Sequence, residues 1–302
     1  MRFMLMGSSN YAVRVLEGML QVLAPGELRV VSQPDSPQGR GHNVRPSPVS
    51  AYALAQGIAL DRPRRLADLR AQWTAYRPDV IVTAAYGRIL PAWVLSLPRR
   101  AVNLHASLLP RWRGPNPIGW AIWAGDGETG VTLMEMRAGI DTGPILAAER
   151  LAIRSDDTFT TLEDRLSALA RDLWLQSWDK VLDFPAHPQQ EDRATNAPKF
   201  DPPMRQIDWT RPAAAEARRI RSMSDRPGAY TMWDTLRIGV GPARVLDLSM
   251  EAGVIRMQRE AWIVGCGTGA LYLDRIRPAG KAWMTPGAFC RGLRGRCPER
   301  LE

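Results

Sequence analysis

Over residues 1–124, short apolar runs alternate with amphipathic stretches, and few folds accept that pattern. The apolar runs have the length of buried strands and lie at 3–6, 28–32, 79–84 and 101–105. Helical patterns fall between and after them, at 12–23, 49–56, 91–97 and 117–124. Such alternation predicts a parallel sheet with helices on both faces. The polar segment 33–48 is rich in proline, and we expect an ordered but irregular loop there.

The last third of the chain has a different pattern. After a helix-like stretch at 205–223, short apolar runs separated by glycine and proline lie at 235–240, 244–248, 253–257, 261–264 and 270–276. Strands with that spacing predict a small antiparallel barrel. The glycine-rich stretch GCGTGALYL at 265–273 is interpreted as a hairpin turn, because a strand pattern follows it where a nucleotide-binding loop needs a helix.

The length of the chain suggests two domains. Its 302 residues are about twice the usual domain length. A polar, proline-containing segment separates the two patterns described above. We therefore expect domains at residues 1–185 and 205–302, joined by a linker at 186–204.

Further elements are expected before that linker. Residues 130–137 have a strand pattern, and the glycine-punctuated stretch 138–146 after them is expected to be a loop. Thr160 and Glu163 have the spacing of a capping box. That spacing predicts the start of a helix, with leucines every three or four residues along one face.

Positive charge is concentrated near the end of the chain. The net charge is +9, and almost all the basic residues are arginines, whose planar guanidinium groups bind phosphate well. From Pro203 to Glu302 there are 17 Arg or Lys against 10 Asp or Glu, a net +7. This asymmetry predicts an anionic partner such as a nucleic acid.

The cysteines and the hydropathy of the chain indicate the cellular compartment in which the protein acts. Cys266, Cys290 and Cys297 lack the spacing of a zinc site, and their odd number does not suggest a disulfide framework. We expect no metal and a reducing environment. No stretch reaches the roughly 20 apolar residues that span a bilayer, and the apolar start of the chain is shorter than the core of a signal peptide. These features predict a cytoplasmic protein without a membrane anchor.

Polar side chains mark the end of the fourth predicted strand. Asn103 and His105 are two residues apart, so they share one strand face at the edge where α/β sheets bind ligands. Asp141 follows the next strand, and Gly139 and Gly143 beside it allow a turn that brings its carboxylate to the same crevice. An amide, an imidazole and a carboxylate together suit acyl transfer to an amine, because they can stabilise an oxyanion and move a proton.

Each of these residues also has a structural interpretation. A histidine at a strand end is often a hydrogen-bonded structural residue, and Asn or Asp beside glycine commonly forms turns. Arg111 and Arg113 can form a solvated rim. A non-catalytic RNA-binding protein would also account for the positive charge. Spacing alone therefore leaves the catalytic and structural interpretations open.

Longer motifs resemble a known family. The stretch NLHASLLPRWRG at 103–114, with GVTLMEM and GIDTGPIL after it, resembles the signature of the folate-dependent formyltransferases. QPDSPQGRG, PSPV, AAYGRILP, IDW, RPGAYT and PAGKAWM resemble the members that formylate the methionine of initiator tRNA. The similarity covers nearly the whole chain. It implies an α/β fold, a Rossmann-like formyltransferase domain with a parallel-rich sheet followed by a small OB-like β-barrel domain.

The resemblance also implies roles for residues of this chain. The catalytic trio would be Asn103, His105 and Asp141. The co-substrate 10-formyltetrahydrofolate would be bound by Arg88, Ile89, Leu90, Ser107, Leu108, Leu109, Pro110, Gly139 and Ile140. In the family the loop corresponding to 33–48 reaches the acceptor stem of initiator tRNA, so Arg40 and Arg45 would contact the tRNA. We expect a monomer that uses no metal.

The implied reaction is transfer of the formyl group to the α-amine of methionyl initiator tRNA, for translation initiation. Pro115 and Asn116, which follow the main motif, stand where the tRNA-acting members usually have two small residues. The resulting stretch GPNPI resembles formyltransferases that act on amino sugars. A small amine, such as a nucleotide-linked amino sugar, is therefore the alternative acceptor.

Overall fold

The structure, a computed structural model, describes residues 1–38, 43–224, 227–293 and 296–302. The chain divides into two compact units. The first unit contains residues 1–117, 128–152 and 163–197, and the second contains residues 118–127, 153–162 and 198–302.

Strands of the first unit follow one another closely along the chain. They are β1 (Phe3–Gly7), β2 (Leu28–Val31), β3 (Ser36–Gln38), β4 (Asn43–Arg45), β5 (Leu60–Asp61), β6 (Val80–Ala84), β7 (Arg100–His105), β8 (Glu128–Glu135) and β9 (Ile145–Ala152). The α-helices up to residue 175 are α1 (Asn10–Val22), α2 (Pro48–Ala55), α3 (Arg70–Tyr76), α4 (Ala92–Leu95), α5 (Pro117–Ala124) and α6 (Phe159–Leu175). The predicted alternation of strand and helix is confirmed.

A seven-stranded mixed sheet forms the centre of the first unit. Its order is β5-β2-β1-β6-β7-β8-β9, and the strands from β5 to β7 are parallel. β8 and β9 each run antiparallel to the preceding strand. Every residue of β1 and β6 is buried, which explains their continuous apolar runs. The Rossmann-like, parallel-rich sheet is thus confirmed, with an antiparallel edge.

Two predicted loops contain regular structure instead. β3 and β4 form an antiparallel hairpin that pairs Ser36 with Arg45, so the irregular loop expected over 33–48 is wrong in part. The expected loop over 138–146 ends in β9, which pairs with β8 along its length. Helix α6 begins at Phe159, one residue before the predicted cap Thr160, and the amide of Thr161 donates to Oγ1 of Thr158.

The second unit is rich in antiparallel strands. They are β10 (Tyr230–Trp233), β11 (Leu236–Val240), β12 (Arg244–Leu246), β13 (Ile255–Gln258), β14 (Ala261–Gly265), β15 (Ala270–Leu273) and β16 (Ile276–Pro278). They form sheets of order β10-β11-β16 and β12-β15-β14-β13. Helices α7 (Ala213–Ser222) and α8 (Pro286–Gly292) accompany them. Trp262 of β14 and Ile220 of α7 belong to one buried cluster, so a β-rich second domain is confirmed.

Two sequence interpretations of this unit have different outcomes. Gly265 and Ala270 pair across the β14–β15 hairpin, which confirms the glycine-rich stretch as a turn. Cys290 and Cys297 form a disulfide, whereas Cys266 is free and buried. The expectation of no disulfide framework is therefore wrong for this pair, because the fold places Cys297 beside Cys290 of α8, a pairing that sequence spacing did not indicate.

Candidate active site

β7 places Asn103 near the carboxyl end of the parallel part of the sheet. Thr83 pairs with it from β6, and Oγ1 of Thr83 donates to Oδ1 of Asn103 over 2.8 Å. This contact fixes the amide, because Oδ1 accepts and Nδ2 must point the other way. Nδ2 of Asn103 lies 3.4 Å from Oδ1 of Asp141. Thr83 therefore orients the amide donor, a role that the sequence did not indicate.

His105 occupies the last position of β7 and is 6% exposed. Its Nε2 lies 2.9 Å from the carbonyl oxygen of Trp112. A carbonyl can only accept, so Nε2 carries a proton. Its Nδ1 lies 3.6 Å from Oδ2 of Asp141. The ring is thus held by one nitrogen and presents the other to the carboxylate.

The carboxylate of Asp141 faces both Asn103 and His105, and a backbone amide binds it as well. The amide of Gly114 donates to Oδ2 of Asp141 over 2.8 Å. The backbone of Asp141 has φ +53°, a conformation that is uncommon for residues other than glycine. The structure therefore brings Asn103, His105 and Asp141 together, as their spacing suggested.

Gln189 holds the loop that carries Asp141. Its Nε2 donates to the carbonyl oxygens of Asp141 and Gly143, over 2.8 and 2.6 Å. Its Oε1 accepts from Nε and Nη2 of Arg113, over 2.9 and 2.8 Å. Gln189 lies in the expected linker, and no motif marked it as part of a site.

Arg113 is buried, with 7% exposure, so the interpretation of this residue as part of a solvated rim is wrong. Its guanidinium also donates to both carboxylate oxygens of Glu191 over 2.8 Å. That hydrogen bond raises the pKa of the Arg113 guanidinium and lowers the pKa of the Glu191 carboxyl. The charge of Arg113 is thereby fixed next to the Asp141 loop.

The segment expected to bind the folate turns its polar groups inward. Oγ of Ser107, which is fully buried, donates to the carbonyl of Arg111 over 2.6 Å. The amide of Leu109 donates to Oγ1 of Thr132, which donates in turn to the carbonyl of Ser107. Leu108 is half-buried, and the Leu109–Pro110 peptide bond is cis. The Ser107 hydroxyl and the Leu109 amide of this turn thus already have partners within the protein.

The other expected folate residues differ in exposure. Arg88 donates to the carbonyls of Pro63 and Arg64, and Leu90 is buried. Ile89 and Ile140, in contrast, are 85% and 61% exposed. Gly139 has φ +105°, and a Cβ there would lie 2.6 Å from Oγ1 of Thr142. Two uncovered isoleucines are available to an apolar ligand.

The expected tRNA contacts lie around the β3–β4 hairpin. Arg45 is the last residue of β4 and is exposed. Arg40 lies outside the described residues. No group of three or more His, Cys, Asp or Glu side chains in the described segments could hold a metal ion. No helix among them is long and apolar enough to cross a membrane.

Chemically, the trio combines a hydrogen-bond donor with a group that can carry a proton. The free side of the Asn103 amide can donate to an oxyanion. The facing His105 ring and Asp141 carboxylate can accept and return a proton. These are the requirements of acyl transfer to an amine.

Comparison with known sequences identifies the family of the chain. Residues 1–177 match the family described as Formyl transferase, and residues 199–294 match the family described as Formyl transferase, C-terminal domain.

The chain belongs to the formyl transferase family. It is 43% identical over 296 residues to the methionyl-tRNA formyltransferase of Ruegeria pomeroyi. The alignment covers 97% of this chain and 97% of that protein. This similarity spans both units of the structure, so the family assignment does not rest on one domain.

Solved structures share the fold at much lower identity. The N-formyltransferase of Helicobacter canadensis, solved with folinic acid and dTDP-3-aminofucose, has a TM-score of 0.70 and 17% identity over 90% of this chain and 98% of its own. HypX of Aquifex aeolicus, solved with tetrahydrofolic acid, has a TM-score of 0.68 and 19% identity over 96% of this chain and 47% of its own. At these identities the likeness establishes the fold of this formyl transferase.

Proposed function

We propose that this formyl transferase moves the formyl group of 10-formyltetrahydrofolate to the α-amine of methionine on initiator tRNA. The observation that carries the proposal is the convergence of Asn103 and His105 on the Asp141 carboxylate. The 43% identity to a methionyl-tRNA formyltransferase over nearly the full chain supports the choice of acceptor.

In the proposed step the neutral α-amine attacks the formyl carbon. A C–N bond forms to the amine, and the C–N bond between the formyl carbon and N10 of the folate breaks. The amine loses one proton and N10 gains one, so the products are formyl-methionyl-tRNA and tetrahydrofolate. An α-amine has a reference pKa of about 8, so part of it is neutral near pH 7.5 and needs only orientation.

Each member of the trio has a role in that step. Nδ2 of Asn103 donates to the oxyanion of the tetrahedral intermediate, with the amide held by Thr83. The facing His105 and Asp141 take the proton from the amine and return it to N10. We assign no metal to the reaction.

We assign the co-substrate to the surface around the trio. The exposed side chains of Ile89 and Ile140 suit the flat apolar face of a pterin ring. The hydrogen-bonded turn from Ser107 through Leu108 and Leu109 to Pro110 forms the wall, while Arg88, Leu90 and Gly139 shape the adjoining backbone.

We further propose that the chemistry belongs to residues 1–185, tRNA binding to residues 205–302, and the connection to a linker at 186–204. The net +7 of the last hundred residues supports the second assignment, because phosphate contacts dominate nucleic-acid affinity. Arg40 and Arg45 would add contacts to the acceptor stem. We expect a monomer that acts in the cytoplasm.

A competition between acceptors tests the proposal. The enzyme is given 10-formyltetrahydrofolate with either methionyl initiator tRNA or a nucleotide-linked amino sugar, and formylated product is measured. We expect turnover on the tRNA alone. Turnover on the amino sugar alone would overturn the proposed acceptor and favour the small-amine alternative raised by Pro115 and Asn116.

A further inference from the structure

Helix α7 presents two arginines to a cavity in the second unit. Arg218 and Arg221 are one helical turn apart, so they share a face of the helix. The cavity measures about 150 Å³. It is lined by Ile122, Gly125, Asp126, Ile153, Arg154, Ser155, Asp157, Arg218 and Arg221.

The arginine between them shows how a buried guanidinium is normally compensated. Arg219 lies 3.4 Å from Oε2 of the buried Glu216 and donates to the carbonyl of Gln206. Its guanidinium also lies over the ring of Trp123, 5.1 Å from the centroid. The charge of Glu216, one hydrogen bond and the ring of Trp123 thus all stabilise the Arg219 cation.

Among the described residues, Arg218 and Arg221 lack the ion pair and the carbonyl partner that Arg219 has. Both are half-buried, and the Nε atom of each, like that of Arg219, is enclosed without a hydrogen-bond partner. In the segments that the structure describes, no hydrogen bond or ion pair reaches either side chain. Burial and the charge of Arg218 lower the pKa of the Arg221 guanidinium, and the charges of Asp156 and Asp157 offset only part of that effect. Two neighbouring cations are therefore partly desolvated together, which is unfavourable without an anion.

The two carboxylates in the lining form no ion pair with either guanidinium among the described residues, and the charge of Asp157 compensates Arg221 only in part. Oδ2 of Asp157 accepts from the amide of Arg154, and its Oδ1 accepts from the hydroxyl of Thr161. Asp126 also has an interaction of its own. Arg154 and Ser155 are exposed at the cavity and add a third guanidinium and a hydroxyl. The lining keeps a net positive charge.

We propose that this cavity binds a phosphate group between Arg218 and Arg221. Guanidinium groups offer paired donors that match two oxygens of a phosphate. The volume equals that of about five water molecules in the liquid, which is enough for one phosphate. Gly125 keeps the approach open, because a Cβ at that position would lie 3.1 Å from Cδ and Nε of Arg218.

The phosphate can come from an RNA backbone or from a free anion, since both offer the same oxygens. The proposal does not depend on the formyl-transfer reaction, and its test uses no activity measurement. It concerns a site built by α7, the end of α5 and the segment before α6.

A titration with inorganic phosphate at constant ionic strength and pH tests the site. The thermal unfolding midpoint of the full chain is followed, with sodium chloride replaced stepwise by sodium phosphate. Wild type is compared with R218Q/R221Q and with R256Q/R259Q, which removes two exposed arginines of the same unit. We expect phosphate to raise the midpoint of wild type and of R256Q/R259Q. We expect affinity at least about tenfold weaker in R218Q/R221Q.

A second arm separates the two sources. Binding of an RNA stem-loop is measured against salt for the same three proteins. If the cavity takes a backbone phosphate, R218Q/R221Q lowers the salt slope by about 1 for each lost phosphate contact, and inorganic phosphate competes with the RNA. If the cavity takes a free anion, the RNA slope of this variant equals that of R256Q/R259Q while its phosphate affinity is lost. Both results support the site.

Two results would overturn it. One is a wild-type midpoint that phosphate raises no more than chloride does, a measurement that needs no variant. The other is an equal phosphate response in wild type and R218Q/R221Q. Without phosphate we expect R218Q/R221Q to fold, because glutamine removes the uncompensated charge and keeps most of the volume. If the double variant does not fold, the phosphate titration is repeated with the single variant R221K.

Discussion

The backbone of Asp141 lies in the left-handed region, and its neighbours keep it there. Its carbonyl accepts from Gln189, and its carboxylate accepts from the amide of Gly114. Uncommon backbone conformations persist when the surroundings over-determine them. Asp141 therefore faces His105 and Asn103 because hydrogen bonds outside the trio fix its loop.

Replacing Gln189 tests this positioning role. Q189L removes two hydrogen bonds to the Asp141 loop and one of the two partners of Arg113, which leaves buried polar groups unsatisfied at a cost of about 1–3 kcal/mol each. We expect kcat to fall by about tenfold or more, with a smaller change in KM, because the trio loses its alignment. Q190L, at the exposed neighbour, is the control. Equal kcat values in Q189L and Q190L would rule out a positioning role for Gln189.

Residue spacing revealed part of the site because strand geometry is local. Asn103 and His105 share a face as residues i and i+2 of any strand do, and Gly139 and Gly143 marked the turn at Asp141. Thr83, Gln189 and Arg113 act through contacts between elements distant in sequence. Their positions depend on the packed fold, so spacing could not indicate them.

Cysteine reactivity provides a separate test at the residue scale. Burial, with a smaller contribution from the charge of Glu216, raises the pKa of the Cys266 thiol to about 12. Cys290 and Cys297 are joined in a disulfide. Without reductant at pH 8 we therefore expect no thiol to react with a disulfide reagent in the folded protein and one after unfolding. Three reactive thiols after unfolding would contradict the cross-link.

At the scale of elements, the turn from β8 to β9 positions the Asp141 loop against the sheet. A Cβ on Gly143 would lie 1.8 Å from the carbonyl oxygen of Glu135. Backbone must therefore shift to accept any side chain there. Glycine at 143 sets the close approach of the loop to the end of β8.

We expect G143A to lower the free energy of unfolding by about 1–3 kcal/mol, since overpacking against backbone cannot be relieved by a rotamer change. Its formyl-transfer rate should fall too, because Gly143 accepts from Gln189. G26A is the matched control in the same unit, where an added Cβ meets nothing within 4 Å. Denaturant unfolding of both variants measures the difference. A loss of stability in G26A equal to that in G143A would contradict the steric argument.

Sequence patterns predicted the buried elements better than the edges. β1 and β6 were recognisable because buried parallel strands are continuously apolar. β9 was missed because its sequence ILAAERLA leaves most side chains partly or fully exposed and has no alternating pattern. The β3–β4 hairpin was missed because proline and glycine mark turns without specifying strand pairing.

At the scale of the whole molecule, charge is distributed unevenly along the chain. The net +7 from Pro203 to Glu302 leaves +2 of the total +9 for the preceding residues. Chemistry and tRNA affinity are therefore expected to depend on different parts of the protein.

Salt dependence measures the contribution of charge to tRNA binding. We expect the logarithm of the association constant to fall linearly with the logarithm of salt concentration, with a slope of about −0.9 for each phosphate contact. R45Q should reduce the slope by about 1 and leave the affinity for folate unchanged. Filter binding at several salt concentrations measures the slopes of wild type and of R45Q. A slope near zero for wild type would contradict tRNA binding by phosphate contacts.

The most direct test of the central claim is the single-turnover rate of formyl transfer by D141N on methionyl initiator tRNA. Asparagine preserves the size of the side chain and an oxygen acceptor, but it cannot take the proton. We predict a rate at least about a hundredfold below wild type, with folate binding retained and with normal transfer by D164N, which changes an exposed carboxylate on α6. A near-normal rate in D141N would contradict the assignment of the trio.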